Sequence, residues 1–515
     1  MEKPGLIKRV INRLFSRPVV IGCFILVQLG VLYGAIVLLG QRVSFFYAFC
    51  RLVALVLVLQ IIYRRNNPSY KIAWIIPIMA MPLFGGLLYL VFGKTRLSHR
   101  EIEKMRSIAR DFGTAMAGVE DVLPAIEQQD PDGAMMSRYI RRAAGAPAFG
   151  GTETTYLPLG EVFFEHLMAE LRRAEKFIFM EFYIIRPGKM WDEVHALLRQ
   201  KAAEGVEVRL LYDDWGCMFK LPEGTDKQLE KEGIRTCVFN PFRAELSIRF
   251  NNRDHRKIVV VDGEVAFTGG INISDEYINA AERCGHWLDC GILLRGEAVW
   301  GFTAMFLSMW DLVRGETTVF DHYRPTLVLP EAEGGWVQPF TDTPLDEEPV
   351  GATVYKNIIQ RAQKYVYINS PYLIIDDEMI SALTTAAKCG VDVRLVTPAV
   401  CDSRLVQEMS RSYYEELVNA GVKVYEYTPG MVHAKTFVSD DRWAVVGSIN
   451  LDYRSLYLHH ECAVWMSGTQ SVMDMKAAFE EELTHCQPFT AEMCREQSRY
   501  RHVLWAVLRA LAPLF

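Results

Sequence analysis

Residues 254–263 read DHRKIVVVDG, and residues 432–441 read VHAKTFVSDD. Both keep the spacing His-x-Lys-x-x-x-x-Asp, with His255, Lys257 and Asp262 in the first copy and His433, Lys435 and Asp440 in the second. Each member of the second copy stands 178 positions after its counterpart, and so do Gly447 and Asn450 of VGSINLD after Gly269 and Asn272 of TGGINIS. One copy is within reach of chance. Two copies with matching downstream residues mark a duplicated fold unit, which predicts two histidines and two lysines meeting across a pseudo-two-fold interface.

Outward from the motifs the text is a regular α/β alternation. Residues 162–176 space Phe164, Leu167 and Leu171 as one helical face, and 177–185 is a strand-like run of aromatic and branched residues. A helix over 191–204 ends at Gly205, and VEVRLLY (206–212) is the next strand. The second half repeats the order: helix 354–364, strand 365–368, helix 378–388, Gly390, then VDVRLV. GVEVRLL and GVDVRLV are visible echoes of one another. Strands alternating with helices predict mixed or parallel sheets layered with helices, an α/β fold. The halves divide at 151–330 and 331–490, with the boundary in the Pro- and acid-rich stretch 324–350.

The first 95 residues are a different material. Residues 19–40 and 43–63 are apolar runs long enough to cross a bilayer as helices. A third run, 72–92, carries Pro77, Pro82, Gly85 and Gly86, which predict a bent, partial insertion. The basic flanks, from Lys3 to Arg17, Arg64 to Lys71 and Lys94 to Arg106, place the large domain in the cytosol by the positive-inside rule. A spanning third run would place it outside. Residues 96–150 read as a helical linker. Residues 491–515 end in an apolar, weakly charged helix, either docked on the domain or lying at the membrane interface.

A net charge of −6 argues against a nucleic-acid-coating protein. The 11 cysteines are scattered with no CxxC pair, so neither a disulfide framework nor a zinc module is implied.

The repeated motif implies phosphodiester chemistry. Residues two apart on a strand face the same way, so each histidine should point with its lysine. Lys257, Lys435, Asn272 and Asn450 are suitable donors for the charge that builds on phosphate oxygens. One imidazole can attack phosphorus, and the other can protonate the leaving alcohol. No metal or other cofactor is needed where lysines supply the charge. Asp262 precedes a glycine and Asp440 an aspartate, positions that favour a turn or salt-bridge role over direct catalysis.

The blocks NNRDHRKIVVVDG, TGGINIS, SPYLIIDD and HAKTFVSDDRWAVVGSINLDYRS resemble the phospholipase D superfamily over residues 150–470. With the apolar N-terminus, the likeness narrows to bacterial cardiolipin synthases. The resemblance implies two pseudo-symmetric α-β-α sandwich halves behind a transmembrane helical region, in the bacterial cell membrane. It implies condensation of two phosphatidylglycerol molecules into cardiolipin and glycerol through a phosphatidyl-histidine, with His255 the nucleophile and His433 the acid/base. It also implies a carboxylate downstream of each motif that orients its histidine: Asp289 in HWLDCG and Glu461 in LHHECA. The neighbours depart from the family pattern: Leu288, Cys290 and Gly291 around the first, His459 and His460 before the second. That departure leaves open the second substrate. Hydrolysis of the same intermediate, or transfer from another donor or to another alcohol, is the alternative.

Overall fold

The computed structural model describes residues 44–64, 67–93, 99–241, 252–324, 334–344 and 348–514, with residues 30, 33 and 34 besides. Contacts divide the described residues into two compact units, one of those up to Gly93, the other holding nearly all the rest.

The N-terminal unit is helical. Ser44–Tyr63 forms one helix, and the third apolar run forms two, Pro68–Ala80 and Pro82–Phe92. The break falls at Met81, just before Pro82, where the missing N–H is no loss at a helix start. The two short helices pack closely: a Cβ on Gly85 would come within 2.2 Å of the Pro77 carbonyl oxygen. Ala54, Leu57, Val58 and Ile61 pack with Trp74, Ile78 and Tyr89. Among the described residues no helix is long and apolar enough to cross a membrane. The first apolar run, 19–40, lies almost wholly outside the described residues.

In the large unit the first half holds β1 (Thr152–Leu157), β2 (Phe177–Phe182), β3 (Glu207–Asp213), β4 (Ile234–Phe239), β5 (Ile258–Val261), β6 (Val265–Gly269), β7 (His286–Leu288) and β8 (Gly291–Gly296). Seven of these make one sheet in the order β1-β8-β6-β5-β2-β3-β4. β2, β3 and β4 run parallel, as helical crossovers require, and the β5–β6 hairpin pairs antiparallel. The second half holds β9 (Trp336–Asp342), β10 (Tyr365–Asn369), β11 (Leu373–Ile374), β12 (Asp392–Pro398), β13 (Lys423–Tyr427), β14 (Gly430–Val432), β15 (Thr436–Ser439), β16 (Trp443–Gly447), β17 (Leu451–Asp452), β18 (Glu461–Ser467) and β19 (Cys486–Phe489). Its main sheet runs β9-β18-β16-β15-β10-β12-β13 and adds β19 at the far edge. Strand for strand this is the first sheet again.

The boundary stretch therefore contains a strand. β9 pairs with β18 as β1 pairs with β8, so residues within the boundary stretch close the second sheet.

One apolar core spans both halves, and a second lies on the first half with Cys401 and Met431 of the second half against it. Helix Val299–Arg314 is buried along most of its length, with Phe306 stacked on Phe179 of β2 at 4.7 Å between ring centroids. Such all-round apolarity fits a helix enclosed on every side. Residues 99–144, expected as a helical linker, form three helices packed on this body. The buried Asp130 carboxylate caps one of them at Gly133 and takes the Trp443 indole N–H at 2.6 Å. The C-terminal helix Arg499–Leu511 docks by Arg501 and Trp505 on Glu408, and leaves Tyr500, Val503 and Val507 exposed.

Candidate active site

Each motif sits at the start of a short strand. β5 begins at Ile258 and β15 at Thr436, so His255, Lys257, His433 and Lys435 occupy the extended segments before them. The strands start later than the sequence pattern suggests because these segments pair with the opposite half instead of their own sheet. The His255 N–H bonds to the His460 carbonyl at 2.9 Å, and the His433 N–H to the Leu288 carbonyl at 2.7 Å. Just before His433, β14 pairs in parallel with β7 of the first half.

The aspartates that close the motifs stand at the other end of their strands and hold turns. Asp262 and Asp440 have φ of 55° and 56°, a left-handed conformation that Asp tolerates better than most residues. The Asp262 carboxylate accepts N–H bonds from Glu175, Lys176 and Phe177 at 2.7–2.8 Å. Asp440 does the same for Gln363, Lys364 and Tyr365 at 2.7–2.9 Å. Each tethers its motif strand to the start of β2 or β10.

The histidines are held by carboxylates, in an exchanged pairing. His255 Nδ1 lies 2.9 Å from Glu461 Oε1, and His433 Nδ1 lies 2.7 Å from Asp289 Oδ2. The expectation that each carboxylate orients the histidine of its own half is therefore corrected: each reaches across. The reason is topological. Asp289 ends the β7 segment that pairs with β14, and Glu461 opens β18 beside the bridge between residues 254 and 460. With Nδ1 committed, Nε2 is the nitrogen left for chemistry on each ring. Ser448 donates to Glu461 from behind.

Close backbone approach explains the glycines of the echo. A Cβ on Gly269 would lie 2.3 Å from the Cys290 carbonyl oxygen, and one on Gly447 would lie 2.4 Å from that of Cys462. The asparagines differ from one another. Asn272 accepts from the Ile184 N–H at 3.0 Å and donates to the Tyr277 hydroxyl at 2.7 Å, which ties its loop. Asn450 is buried, and its amide oxygen has no hydrogen-bond partner among the described residues.

Both lysines are buried and each donates to the carbonyl of its own histidine. Burial pushes Lys257 down to about 7 and Lys435 down to about 8, against opposing pulls from Glu461 and Asp289. Burial, then the neighbouring lysine, takes His433 down to about 4 and His255 well below its ordinary value. Neutral imidazoles beside ammonium groups suit a nucleophile and a base. An anionic phosphate in the site would favour the charged lysines.

The surroundings of the two rings were not legible in the motifs. His433 lies against Tyr277 and Trp287, at 5.3 and 5.6 Å between centroids, while His255 lies against Tyr183 and His459 at 5.0 and 5.6 Å. His459 was visible in the sequence only as a departure beside Glu461. Donor atoms of His255, His459 and Glu461 lie within 4.8 Å of one another, close enough to suggest a cation site. The chemistry of the set opposes it: His255 Nδ1 is committed to Glu461, and Lys257, Arg253 and Arg454 all act electrostatically on His459. A divalent ion would enter a cluster of positive charge.

Comparison with known proteins agrees with this architecture. The family described as "Cardiolipin synthase, PLD-like domain" matches residues 167–287 and 355–483, and "Phospholipase_D-nuclease N-terminal" matches residues 52–94. The chain is 33% identical to the cardiolipin synthase of Geobacillus kaustophilus over 90% of this chain and 92% of that one. It is 34% identical to that of Halalkalibacterium halodurans, over 88% and 90% respectively. An uncharacterized protein of Streptococcus mutans is 40% identical over 89% of this chain and 99% of its own. Among solved structures, the phosphatidylserine synthase of Haemophilus influenzae superposes with a TM-score of 0.55 at 14% identity, covering 74% of this chain and 97% of that one, which shows a shared fold.

Proposed function

The chain belongs to the cardiolipin synthases of the phospholipase D superfamily, phosphatidyltransferases, and from that premise we propose that it joins two phosphatidylglycerol molecules into cardiolipin and glycerol. The observation that carries the reading is the exchanged pair of carboxylate–histidine contacts, which leaves Nε2 of each ring without a hydrogen-bond partner among the described residues, with a buried lysine beside each histidine.

In the first step His255 Nε2 attacks the phosphorus of one lipid. The bond to the glycerol oxygen breaks, and that oxygen takes a proton from His433, which is neutral in the empty site and is charged once the anionic lipid phosphate joins Asp289 beside it. In the second step a hydroxyl of the other lipid gives its proton back to His433 and attacks the phosphorus, and the P–N bond to His255 breaks. Glu461 and Asp289 stabilise each imidazolium as it forms. Lys257 and Lys435 stabilise the charge on the phosphate oxygens, with Asn450 a further donor. Asn272 supports the same loop from a position already engaged at both ends. Asp262 and Asp440 fix the strands.

The membrane reading is part of this proposal: a multi-pass anchor in the bacterial cell membrane, with the catalytic unit on the cytosolic side. Exposed Leu52, Leu55, Val56, Leu59 and Ile62 on helix Ser44–Tyr63 support it, since a single helix rarely shows so many apolar side chains to water. The exposed apolar face of the C-terminal helix is consistent with contact at the bilayer surface.

The test is incubation of the purified protein with phosphatidylglycerol alone in EDTA, with lipids followed by mass spectrometry and glycerol assayed. Cardiolipin with stoichiometric glycerol, both absent from His255→Ala, is the expected result. Phosphatidic acid alone would make the protein a hydrolase, and activity abolished by EDTA and restored by one metal would overturn the lysine-based account.

A further inference from the structure

The two catalytic rings are nearly closed off, His255 being 7% and His433 6% exposed. They sit at the carboxyl ends of the parallel strands: Ile258 pairs with Glu181 near the end of β2, and Thr436 with Asn369 at the end of β10. Open α/β sheets bind their ligands at that end. The loops leaving β3 and β12 flank one ring each. After β3, the short helix Asp214–Cys217 lies on Tyr183, whose ring faces His255, so closely that a Cβ on Gly216 would come within 1.9 Å of the Tyr183 carbonyl oxygen. After β12, Cys401 packs in the same apolar cluster as Tyr277 and Trp287, the rings that face His433.

Both loops turn apolar side chains outward. Trp215 and Phe219 are exposed on the first, Phe219 by 69%, and Val400 and Leu405 on the second. The positions correspond: counted from the start of its seven-residue strand, Val400 stands where Trp215 stands, and Leu405 one place beyond Phe219. Helix Arg404–Arg411, which carries Leu405, receives the C-terminal helix at Glu408, and that helix leaves Tyr500, Val503 and Val507 exposed at helical spacing. Of the ten large apolar side chains exposed on the described part of the large unit, only Met135, Val319 and Met473 lie elsewhere. Apolar residues scattered singly over a surface need no account, but a strip gathered beside a site does. The unpaired charges on the strip are positive. Arg404 and Arg499 are exposed and make no ion pair among the described residues, whereas the loop carboxylates are engaged, Asp402 with the Tyr372 hydroxyl and Asp214 and Glu223 with partners of their own.

Resting on the phosphatidyltransfer reading above, we infer that this strip docks the mouth of the active site on the anionic bilayer surface that holds the substrate lipids. Withdrawing acyl chains into water costs free energy for every methylene, so a lipid is best worked on where it lies. Phe219, Val400 and Leu405 enter the boundary between acyl chains and headgroups, where large apolar side chains of interfacial proteins seat themselves. The lipid phosphates then stand at the level of the two loops. Arg404 and Arg499 add attraction for a surface of negative charge. The contact belongs to the catalytic unit itself and does not depend on the apolar helices at its N-terminal side.

The test uses the full-length protein in vesicles of phosphatidylglycerol or of phosphatidylcholine, each with a trace of its own lipid carrying a diazirine near the top of one acyl chain. Irradiation and peptide mapping should mark residues 215–220 and 400–405, at least threefold more strongly in phosphatidylglycerol, and Arg404→Gln with Arg499→Gln should erase that preference. Label on the apolar helices of residues 44–92 with none on either loop would overturn the proposal, and so would protein–protein cross-links at the loops in place of lipid. Phe219→Ser with Leu405→Ser should slow turnover of vesicle lipid at least fivefold. The same variant should stay within twofold on a short-chain phosphatidylglycerol kept below its micelle concentration. Equal loss on both substrates would make the loops structural and overturn the docking role. Wild-type protein that labels at both loops but turns over neither substrate would support docking and overturn the phosphatidyltransfer reading instead.

Discussion

The two halves place the same catalytic atoms in different settings. Around His255 the lead-in is charged and buried: Arg256 bridges Glu181 at 2.6 Å and Asp254 at 3.1 Å. At the matching positions around His433 stand Val432 and Ala434, with Asn369 of β10 where β2 has Glu181. The second motif is seated by apolar packing and aromatic rings, the first by an ionic network and a third histidine. The backbone duplicates, whereas the environment does not. The difference teaches that the repeat was kept in the backbone that carries the histidines and lysines and given up in the packing around them.

The sharpest way to break the comparison is to remove either imidazole. His255→Ala and His433→Ala should each lower turnover by at least ~10⁴-fold, with folding retained by circular dichroism. The variants should nonetheless differ: lipid bound covalently to His255 should be seen by mass spectrometry of trapped His433→Ala, and no lipid adduct on His433 in His255→Ala. An adduct on His433 would reverse the roles. Next in size are the carboxylates. Glu461→Gln and Asp289→Asn remove the charge that stabilises each imidazolium and should lower kcat by ~10²–10⁴-fold. Trapped adduct should be lost with Glu461→Gln and spared in Asp289→Asn if the exchanged pairing holds.

That exchange marks the limit of what the sequence could tell. The motif residues and the helix–strand alternation were legible, because a twofold repeat at constant offset shows itself in one dimension, whereas Asp289 and Glu461, 172 positions apart, came from the family resemblance. The partner of each carboxylate was not, since offset measures position within a half and says nothing of which half it faces. The same blindness placed His255 and Lys257 on a strand: the pattern of branched residues after them is real, but the His255 N–H is claimed by His460 of the other half. Residues 336–342 read as part of a boundary because the acid- and proline-rich text around them hides a seven-residue strand. His459 appeared only as an oddity, its meaning dependent on a ring brought beside it by the other half.

Smaller effects test the ionic network. Arg256→Met leaves Glu181 and Asp254 as buried carboxylates without their cation, and should destabilise by ~3–5 kcal/mol in denaturant unfolding. Ala434→Ser, at the matching position, should cost ~1–3 kcal/mol as an unpaired hydroxyl. The smallest effect concerns the lysines. Their folded pKa values, about 7 for Lys257 and about 8 for Lys435, lie below the ordinary 10.5, so the unfolded chain binds more protons between those limits. Their charge therefore opposes folding fully below the folded pKa, and the opposition fades as pH rises toward 10.5. Lys435→Met should match or exceed the wild-type Tm at pH 7 and lose ground from about pH 8 upward. For Lys257→Met the decline should begin about one unit lower, near pH 7, and differential scanning calorimetry across that range reads both.

The exchanged carboxylates also act as an interlock during synthesis. His255 and Glu461 are 206 residues apart in the chain. At ~5–20 residues per second the ribosome delivers the second ~10–40 s after the first. Through that interval a newly folded first half exposes its histidine to lipid without the carboxylate that orients and charges it. On the proposed mechanism a partial chain lacks both that carboxylate and the second motif, and the site is complete only when both halves are made.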